Sequence, residues 1–340
     1  MKQAVMTRPG VIEYRDIPRP QAGAGEVLVQ VRRIGVCGSD IHVFHGLHPY
    51  TPYPVVQGHE VSGVVAELGE GVSGLALGDT VTFTPQVTCG TCYPCTHGME
   101  HICESLKVMG FQTGGAAQEF FPVPAEKIIK LPASISLDQA ALTEPVAVGV
   151  HAIRRVGGVE GQNVLVLGAG TIGNLLAQSA RAMGARKVMI TDLSPYKLER
   201  ARACGFECVV NPHETDLEQA LLSCFGPDRA DVIFECVGAE ETINQAVSLA
   251  RKGTTIVVVG VFGKKPPVDI GLVQDRELTL RGTLMYQKVD FERAVELMAA
   301  GKLHLDELIS AHFPFERYLA AYEAIEAAGG KTMKVMVDLG

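Results

Sequence analysis

The sequence predicts a two-domain α/β protein in which a domain of β-barrel type is combined with a doubly wound parallel sheet. Its 340 residues exceed the length at which one hydrophobic core usually keeps growing. Glycine and proline divide the first third into short strands and turns, whereas strands and helices alternate after about residue 145. We therefore predict domains over 1–145 and 146–281, with residues 282–340 returning to the first domain.

Short strands between turn signals predict the barrel-type domain. In EVLVQVRRIG the apolar residues Val27, Val29 and Val31 recur at every second position. The stretch GEGVSGLALGDTVTF then places glycine-rich turns before another strand pattern.

Alternating patterns predict the parallel sheet of the second domain. NVLVLGAGTIGNLLAQSARAMG reads as a strand, a glycine turn and a helix, and KVMITD, ADVIFECVG and TTIVVVG are further strands separated by helical segments. In the tail, DFERAVELMAAGK and FERYLAAYEAIEAAGG are helical and KTMKVMVDL is a final strand.

The composition excludes several classes of protein. Hydrophobic residues make up 47% of the chain and charged residues 20%, and no apolar run approaches the roughly 18 residues of a membrane span. A net charge of -8 without runs of Lys or Arg argues against a nucleic-acid partner. MKQAVMTRPG has no secretory pattern, so we expect a cytoplasmic protein, away from the membrane, that acts on a small molecule.

Four cysteines in TCGTCYPCTHGMEHIC, over residues 88–103, predict a structural zinc lobe. Cys89, Cys92, Cys95 and Cys103 have the spacing C-x2-C-x2-C-x7-C, and such closely spaced thiolates suit a tetrahedral metal ion. Disulfides are the weakest interpretation because nine cysteines are an odd number and the cytoplasm is reducing. A redox pair is the rival, but no helix pattern follows it. The cysteines of the second domain are interpreted as packing residues: Cys204, Cys208, Cys224 and Cys236.

The segment GAGTIG predicts a dinucleotide-binding loop because it directly follows a strand and opens a helix. Gly168 makes the turn, Gly170 admits the pyrophosphate, and Gly173 lets helix and strand approach each other, with Ile172 beside them. Asp192 ends the next strand, where a carboxylate binds ribose hydroxyls and repels a 2′-phosphate, so the predicted cofactor is NAD.

Two alternatives remain open in the dinucleotide region. Asp192 also suits the N-cap of the helix that follows. Lys197 is a second candidate neighbour of the ribose, although a lysine on a solvated helix face is the commoner explanation. Some use of NADP is therefore not excluded.

Three separated segments carry further candidate ligands and catalytic groups. Each residue alone has an ordinary explanation, since a single His is usually a surface or core residue and a Cys is often a small buried apolar group. The candidates are Cys37, Ser39 and His42 in VCGSDIH, His59 and Glu60 in QGHE, and Glu144 in LTEP.

Together, these segments, the cysteine lobe, GAGTIG and TDLS resemble the zinc-dependent medium-chain alcohol dehydrogenase superfamily, and sorbitol dehydrogenase is the most similar branch. The resemblance covers nearly the whole chain. It implies a GroES-like catalytic domain, a Rossmann domain, a homo-oligomer (dimer or tetramer), and one catalytic and one structural zinc per chain. Cys37 and His59 are then catalytic-zinc ligands, and the third ligand is Glu60 or Glu144, with relatives differing on that choice.

The resemblance also implies a reaction, in which a secondary alcohol loses its proton and a hydride passes to NAD+. Ser39 passes the proton through the cofactor ribose to His42. The alternative is that Ser39 hydrogen-bonds a turn and that His42 is a surface residue. Tyr286 matches the tyrosine of the substrate pair in sorbitol dehydrogenases, but Met285 replaces its arginine.

The substrate is predicted less sharply than the reaction. A polyol ranks first, an aldonate or hexitol phosphate second, and threonine third, because Gln86 replaces a histidine that threonine dehydrogenases carry. A nucleotide sensor or a zinc-free quinone reductase on the same fold belongs to a different class. The joint presence of the candidate zinc ligands argues against both.

Overall fold

The computed structural model describes all 340 residues, which divide into two compact units. The first unit contains residues 1–144, 287–299 and 309–340, and the second contains 145–286 and 300–308. The chain thus leaves the second unit at 286 rather than at the predicted 281, and the tail is split.

The short stretch 300–308 belongs to the second unit because polar contacts hold it there. The backbone N–H of His304 donates to Oε1 of Gln178 at 2.6 Å, and Glu307 pairs with Arg200 at 3.3 Å. The predicted return of the whole segment 282–340 to the first domain therefore does not hold for these nine residues.

The strands follow the short, turn-bounded pattern that the sequence predicts. They are β1 (Lys2–Arg8), β2 (Val11–Asp16), β3 (Glu26–Val36), β4 (Glu60–Leu68), β5 (Thr80–Phe83), β6 (Gln86–Val87), β7 (Lys107–Val108), β8 (Phe120–Pro124), β9 (Ile128–Lys130), β10 (Asn163–Leu167), β11 (Lys187–Thr191), β12 (Cys208–Val210), β13 (Val232–Glu235), β14 (Thr255–Val258), β15 (Thr279–Gly282), β16 (Ile309–Pro314) and β17 (Lys334–Asp338).

The helices of nine or more residues all begin at Thr143 or later. The helices are α1 (Gly38–Phe44), α2 (Tyr93–Thr96), α3 (Leu137–Ala141), α4 (Thr143–Arg154), α5 (Thr171–Ala182), α6 (Pro195–Ala203), α7 (Leu217–Phe225), α8 (Glu240–Leu249), α9 (Ile270–Asp275), α10 (Lys288–Ala299) and α11 (Tyr318–Ala327). None of them is both long enough and apolar enough to cross a membrane.

The first unit is built on a seven-stranded sheet centred on the long strand β3. The strand order is β16-β17-β3-β4-β5-β9, and β8 also pairs with β3. Strand β17 lies parallel to β16 and antiparallel to β3, so the returning tail completes the sheet. Most apolar residues of β3 and some of those of β4 are buried in one core, to which the aromatic residues of α11 also contribute.

The register of β3 brings distant parts of the chain to one point. Gly35 lies opposite Glu60 of β4, and Val36 lies opposite Val335 of β17. Because β3 ends at Val36 and leads directly into α1, the start of α1, the start of β4 and the start of β17 meet there.

The second unit is a parallel sheet of six strands, as the alternating pattern predicts. Its order is β12-β11-β10-β13-β14-β15, and all five neighbouring pairs are parallel. All five residues of β10 are buried, which is typical of a central strand covered on both faces. The strand order reverses between β10 and β13, the position at which such sheets bind their ligands.

Two cysteines of the second unit form a disulfide, which corrects their interpretation as packing residues. Cys208 of β12 and Cys224 of α7 are bonded, with their Cα atoms 6.2 Å apart. A helix that packs beside the edge strand brings the two thiols within bonding reach. Cys204 and Cys236 are free, and Cys204 is fully buried.

Candidate active site and cofactor sites

The four cysteines of the predicted zinc lobe lie together in the first unit. Cys92 precedes α2, and Cys103 follows a 3₁₀ turn over Glu100–Ile102. Their Sγ atoms all lie within 4.8 Å of one another, at 3.5 Å for Cys89 and Cys103 and 4.0 Å for Cys89 and Cys95. Zinc–sulfur bonds of about 2.3 Å place tetrahedral sulfurs about 3.8 Å apart, so the four thiols fit a closed zinc site.

Backbone N–H groups of the lobe favour the thiolate form that a metal requires. Hydrogen bonds from the backbone of Thr91 and Cys92 lower the pKa of Cys89 to about 6. Burial and the neighbouring Cys92 thiol raise the pKa of Cys95 to about 12. The lowered pKa of Cys89 favours its thiolate form, whereas Cys95 would give up its proton on binding a metal.

A second cluster of ligand atoms lies where α1 and β4 begin. Cys37 is the N-cap of α1, His59 directly precedes β4, and Glu60 is the first residue of β4. One ligand atom from each of the three lies within 4.8 Å of the others, and His59 and Glu60 are buried. A thiolate, an imidazole and a carboxylate form the ligand set of a catalytic zinc site and leave a fourth coordination position open.

Lys334, at the start of β17, is the buried counterion of Glu60, and the sequence analysis did not identify it. Its Nζ donates to Oε1 and Oε2 of Glu60 at 2.7 and 2.5 Å and to the backbone oxygen of Val36 at 3.1 Å. Burial lowers the pKa of Lys334, but the charges of Glu60 and Cys37 outweigh it and raise the pKa. A Cβ on Gly35 would collide with the Glu60 carboxylate, so a larger residue there would displace that carboxylate.

Asp40 of α1 holds the other side of the candidate metal site. Its Oδ2 accepts from the backbone N–H of Cys37 at 2.9 Å, and its Oδ1 accepts from Nε2 of Gln57 at 3.0 Å. Gln57 in turn accepts from the hydroxyl of Tyr322 at 2.8 Å. Oδ1 also lies 3.6 Å from Nδ1 of His59, so Asp40 faces the ring atom that does not bind metal when Nε2 does.

The charge of Asp40 explains the basicity of His59. Burial works against a charged imidazole, but Asp40, and after it Cys37, raises the pKa of His59 to about 10. Nδ1 of His59 is buried and makes no hydrogen bond within the protein. This cation-favouring environment fits a ring that binds a metal ion in place of a proton.

The remaining candidate residues of the first unit are Glu144 of α4 and Ser39 and His42 of α1. Glu144 is the second residue of α4 and is 6% exposed, and its charge contributes to raising the pKa of both His59 and Lys334. Ser39 and His42 are three residues apart on α1 and therefore share one helix face. The Ser39 hydroxyl makes no hydrogen bond within the protein, so it does not stabilise a turn, and His42 is exposed.

The glycines of the predicted cofactor loop adopt the geometry expected of them. Gly168 follows β10 with a φ of 101°, and α5 begins directly after its N-cap Gly170. A Cβ on Gly173 would lie 1.9 Å from the backbone oxygen of Gly168, whereas a Cβ on Gly170 would meet no atom within 4 Å. Ile172 lies half-buried in the first turn of α5. The loop thus leaves open space at the helix N-terminus, where a pyrophosphate binds.

Asp192 follows β11, at the same edge of the sheet as the glycine loop. Its Oδ2 accepts from the backbone N–H of Ala169 at 2.9 Å and its Oδ1 from that of Ser194 at 2.8 Å. Ser194, not Asp192, is the N-cap of α6, so the capping alternative for Asp192 is wrong. Nζ of Lys197 lies 3.8 Å from Oδ2, close to the position where a ribose would bind.

The predicted substrate residue Tyr286 is fully buried in the second unit. Met285 before it has a φ of 53°, a left-handed conformation that residues other than glycine rarely adopt. Contact of Tyr286 with a substrate therefore stays a prediction.

Models of two protein families match the two halves of the chain. The alcohol dehydrogenase GroES-like domain matches residues 23–133, and the zinc-binding dehydrogenase matches residues 171–300. The chain belongs to this family of zinc-dependent medium-chain alcohol dehydrogenases, which confirms the predicted resemblance and the predicted fold class. It is therefore an enzyme of the oxidoreductase class that works with zinc and a nicotinamide cofactor.

Named relatives of the chain include sugar-acid, polyol and threonine dehydrogenases of that family. It is 37% identical over 316 residues to the 2-dehydro-3-deoxy-L-galactonate 5-dehydrogenase of Pseudoalteromonas atlantica, covering 93% of this chain and 92% of that protein. It is 33% identical over 338 residues to the D-xylulose reductase A of Aspergillus oryzae, with 96% and 94% covered. A zinc-binding dehydrogenase from Sinorhizobium meliloti bound to NADP superposes with a TM-score of 0.91 at 31% identity, over 99% of both chains.

Proposed function

We propose that the protein oxidises a secondary alcohol of a sugar alcohol to a ketone and transfers the hydride to NAD+. The observation that carries this proposal is the convergence of Cys37, His59 and Glu60, whose ligand atoms lie within 4.8 Å of one another beside a buried lysine. A structural metal site would have four protein ligands, as the cysteine lobe has, whereas three ligands leave room for an alcohol oxygen.

The residues of the first unit divide the work of this reaction. When bound, zinc supplies a Lewis acid that lowers the pKa of the substrate hydroxyl, and NAD+ supplies the hydride acceptor. Cys37, His59 and Glu60 hold the metal, and Asp40 keeps Nδ1 of His59 turned toward itself. Ser39 would accept the hydroxyl proton at Oγ while passing its own hydroxyl proton through the cofactor ribose to His42, and exposed His42 releases a proton to water.

We propose Glu60 rather than Glu144 as the third metal ligand. The Glu60 carboxylate shares the 4.8 Å cluster with Cys37 and His59, and Lys334 offsets its charge. Glu144 then acts through its charge on His59. Metal analysis of Glu60→Gln and Glu144→Gln tests the assignment: loss of one zinc per chain in Glu144→Gln alone would reverse it.

A sugar acid is the second candidate substrate, because the relative at 37% identity is named for a reaction of a deoxy-galactonate. A carboxylate needs an available cation in its pocket. Against this candidate, the buried cation nearest the metal cluster, Lys334, already pairs with Glu60 through both carboxylate oxygens.

We propose that the cofactor is NAD rather than NADP, because of the position of Asp192. Two backbone N–H groups hold this carboxylate at the end of β11, and a carboxylate at that position would repel a 2′-phosphate. The preference needs a direct test because a solved relative at 31% identity is bound to NADP. We expect Asp192→Ala to lower the ratio of kcat/KM for NAD+ to that for NADP+ by about tenfold or more, the effect of losing one charged contact. An unchanged ratio would refute this role of Asp192.

The proposed function is tested by the rate of NAD+ reduction, followed by nicotinamide absorbance with zinc-replete protein. The series is sorbitol, xylitol, iditol, galactitol, several aldonates, hexitol phosphates and threonine. A preference for a neutral polyol supports the proposal, and turnover of only an acid or a phosphate replaces the substrate class. Assembly as a dimer or tetramer also stays a proposal, to be measured by light scattering.

A further inference from the structure

His48 is a half-buried histidine near the candidate metal site to which no role has been given so far. Its imidazole stacks on the ring of Phe111, with centroids 5.0 Å apart and planes 28° from parallel. Phe111 also contacts the metal-ligand candidate His59, whose ring centroid lies 4.9 Å from that of Phe111. These ring-to-ring distances of 5.0 and 4.9 Å place the imidazole of His48 within about 10 Å of that of His59.

The ring of His48 is held in place from two sides. Phe111 fixes its plane, and Oγ1 of the buried Thr51 hydrogen-bonds its Nδ1 at 2.7 Å. Nε2 makes no hydrogen bond or ion pair within the protein. An imidazole that is oriented by one nitrogen and offers the other is a hydrogen-bonding group fixed in advance of binding, so little freedom is lost when a ligand arrives.

The surroundings of His48 keep its ring uncharged near neutral pH. Burial lowers the pKa of His48, and the nearby imidazoles of His42 and His59 lower it further. A neutral imidazole forms good hydrogen bonds with hydroxyl groups, whereas a fixed cation would favour carboxylate or phosphate. The exposed side chains of Leu47 and Tyr50 flank it on the same segment.

We propose that His48 is a substrate-binding residue whose Nε2 hydrogen-bonds a substrate hydroxyl remote from the carbon that is oxidised. Because both rings contact Phe111, His48 is close enough to His59 for one polyhydroxylated chain to reach both, with its reacting hydroxyl at the candidate metal site and a further hydroxyl at His48. The inference rests on the proposed function and adds to it a means of telling polyols from simple alcohols. A site that hydrogen-bonds a hydroxyl rejects an analogue without it, because its own polar group is then left unpaired.

The test compares His48→Phe with the wild-type enzyme on two kinds of substrate. Phenylalanine keeps the stack on Phe111 and removes only the nitrogen atoms. We expect KM for the best polyol or sugar acid of the series to rise about tenfold, the value of one neutral hydrogen bond, while kcat changes little. KM for 2-pentanol, which has no second hydroxyl, is expected to stay unchanged. His48→Gln, which restores an amide, is expected to recover most of the loss.

The outcomes separate this inference from the proposed function. Equal changes for the polyol and 2-pentanol, or no change in either, would overturn the role of His48 even if the enzyme oxidises polyols rapidly. If the wild type turns over nothing in the series, the proposed function fails by itself. Binding of xylitol to zinc-loaded enzyme with NADH is then measured by calorimetry: weaker binding by His48→Phe supports the inference, and indistinguishable behaviour of the two proteins overturns it.

Discussion

Replacing Lys334 with methionine removes the buried counterion of Glu60 and tests how much their ion pair contributes to stability at the candidate metal site. Nζ lies 2.7 and 2.5 Å from the two carboxylate oxygens, and the two side chains are only 4% and 1% exposed. Breaking a buried pair by removing one partner costs about 3–5 kcal/mol, because the remaining charge is left in a medium of low polarity. We expect metal-free Lys334→Met to lose that much free energy of unfolding.

The assay is urea denaturation followed by circular dichroism, on chelated and on zinc-loaded protein. Zinc brings a second cation to Glu60, so the loss should be clearly smaller in the loaded protein. The matched control is the double variant Glu60→Gln with Lys334→Met, which removes both charges and should recover most of the stability. The reasoning fails if the single variant loses less than about 1 kcal/mol, or if the double variant is no more stable than the single one.

Three further predictions address the other sites. Since folding lowers the pKa of His48, its contribution to stability is present above pH 6.5 and is lost as pH falls toward the folded pKa. The free energy of unfolding should therefore fall less between pH 7 and pH 5 in His48→Phe than in the wild type. Cys92→Ser should reduce zinc from two ions per chain to one by elemental analysis and lower the melting temperature, whereas Cys236→Ser should leave two. Gly173→Ala should destabilise the fold by more than 1 kcal/mol, whereas Gly170→Ala should keep the melting temperature and raise KM for NAD+; equal melting temperatures for both would contradict the space argument.

Local patterns in the sequence were sufficient to predict the cofactor loop and the zinc lobe. The turn at Gly168 and the spacing from Cys89 to Cys103 are features of short segments, so their chemistry could be inferred without knowing how distant strands pair. The parallel sheet was predictable for the same reason, because each strand and helix leaves its own period in the sequence.

Contacts between distant segments could not be predicted in this way. Lys334 is 274 residues from Glu60, and only the pairing of β17 with β3 brings them together. A lysine in a strand pattern gives no sign that it is buried. The disulfide between Cys208 and Cys224 likewise depends on how α7 packs beside β12, although the two residues are only 16 apart.

Asp40 is the residue for which a usable signal existed. It lies between Cys37 and His42 in a motif that was already singled out, and a charged residue that close to two candidate ligands could have been assigned to orient one of them. Its backbone contact with Cys37 and its position beside His59 show what the motif requires of that acid.

The pairing of β17 with β3 also has a consequence for how a newly made chain matures. On the ribosome, β3 and β4 are made early, but Lys334 is synthesised 298 residues after Val36 and after every residue of the second unit. Domains generally fold as units during synthesis, so the parallel sheet has time to form while the metal ligands of the first unit still lack their final strand. If Cys37, His59 and Glu60 bind zinc as proposed, stable zinc insertion there follows the synthesis of β17, because Lys334 pairs with Glu60 only once that strand is made.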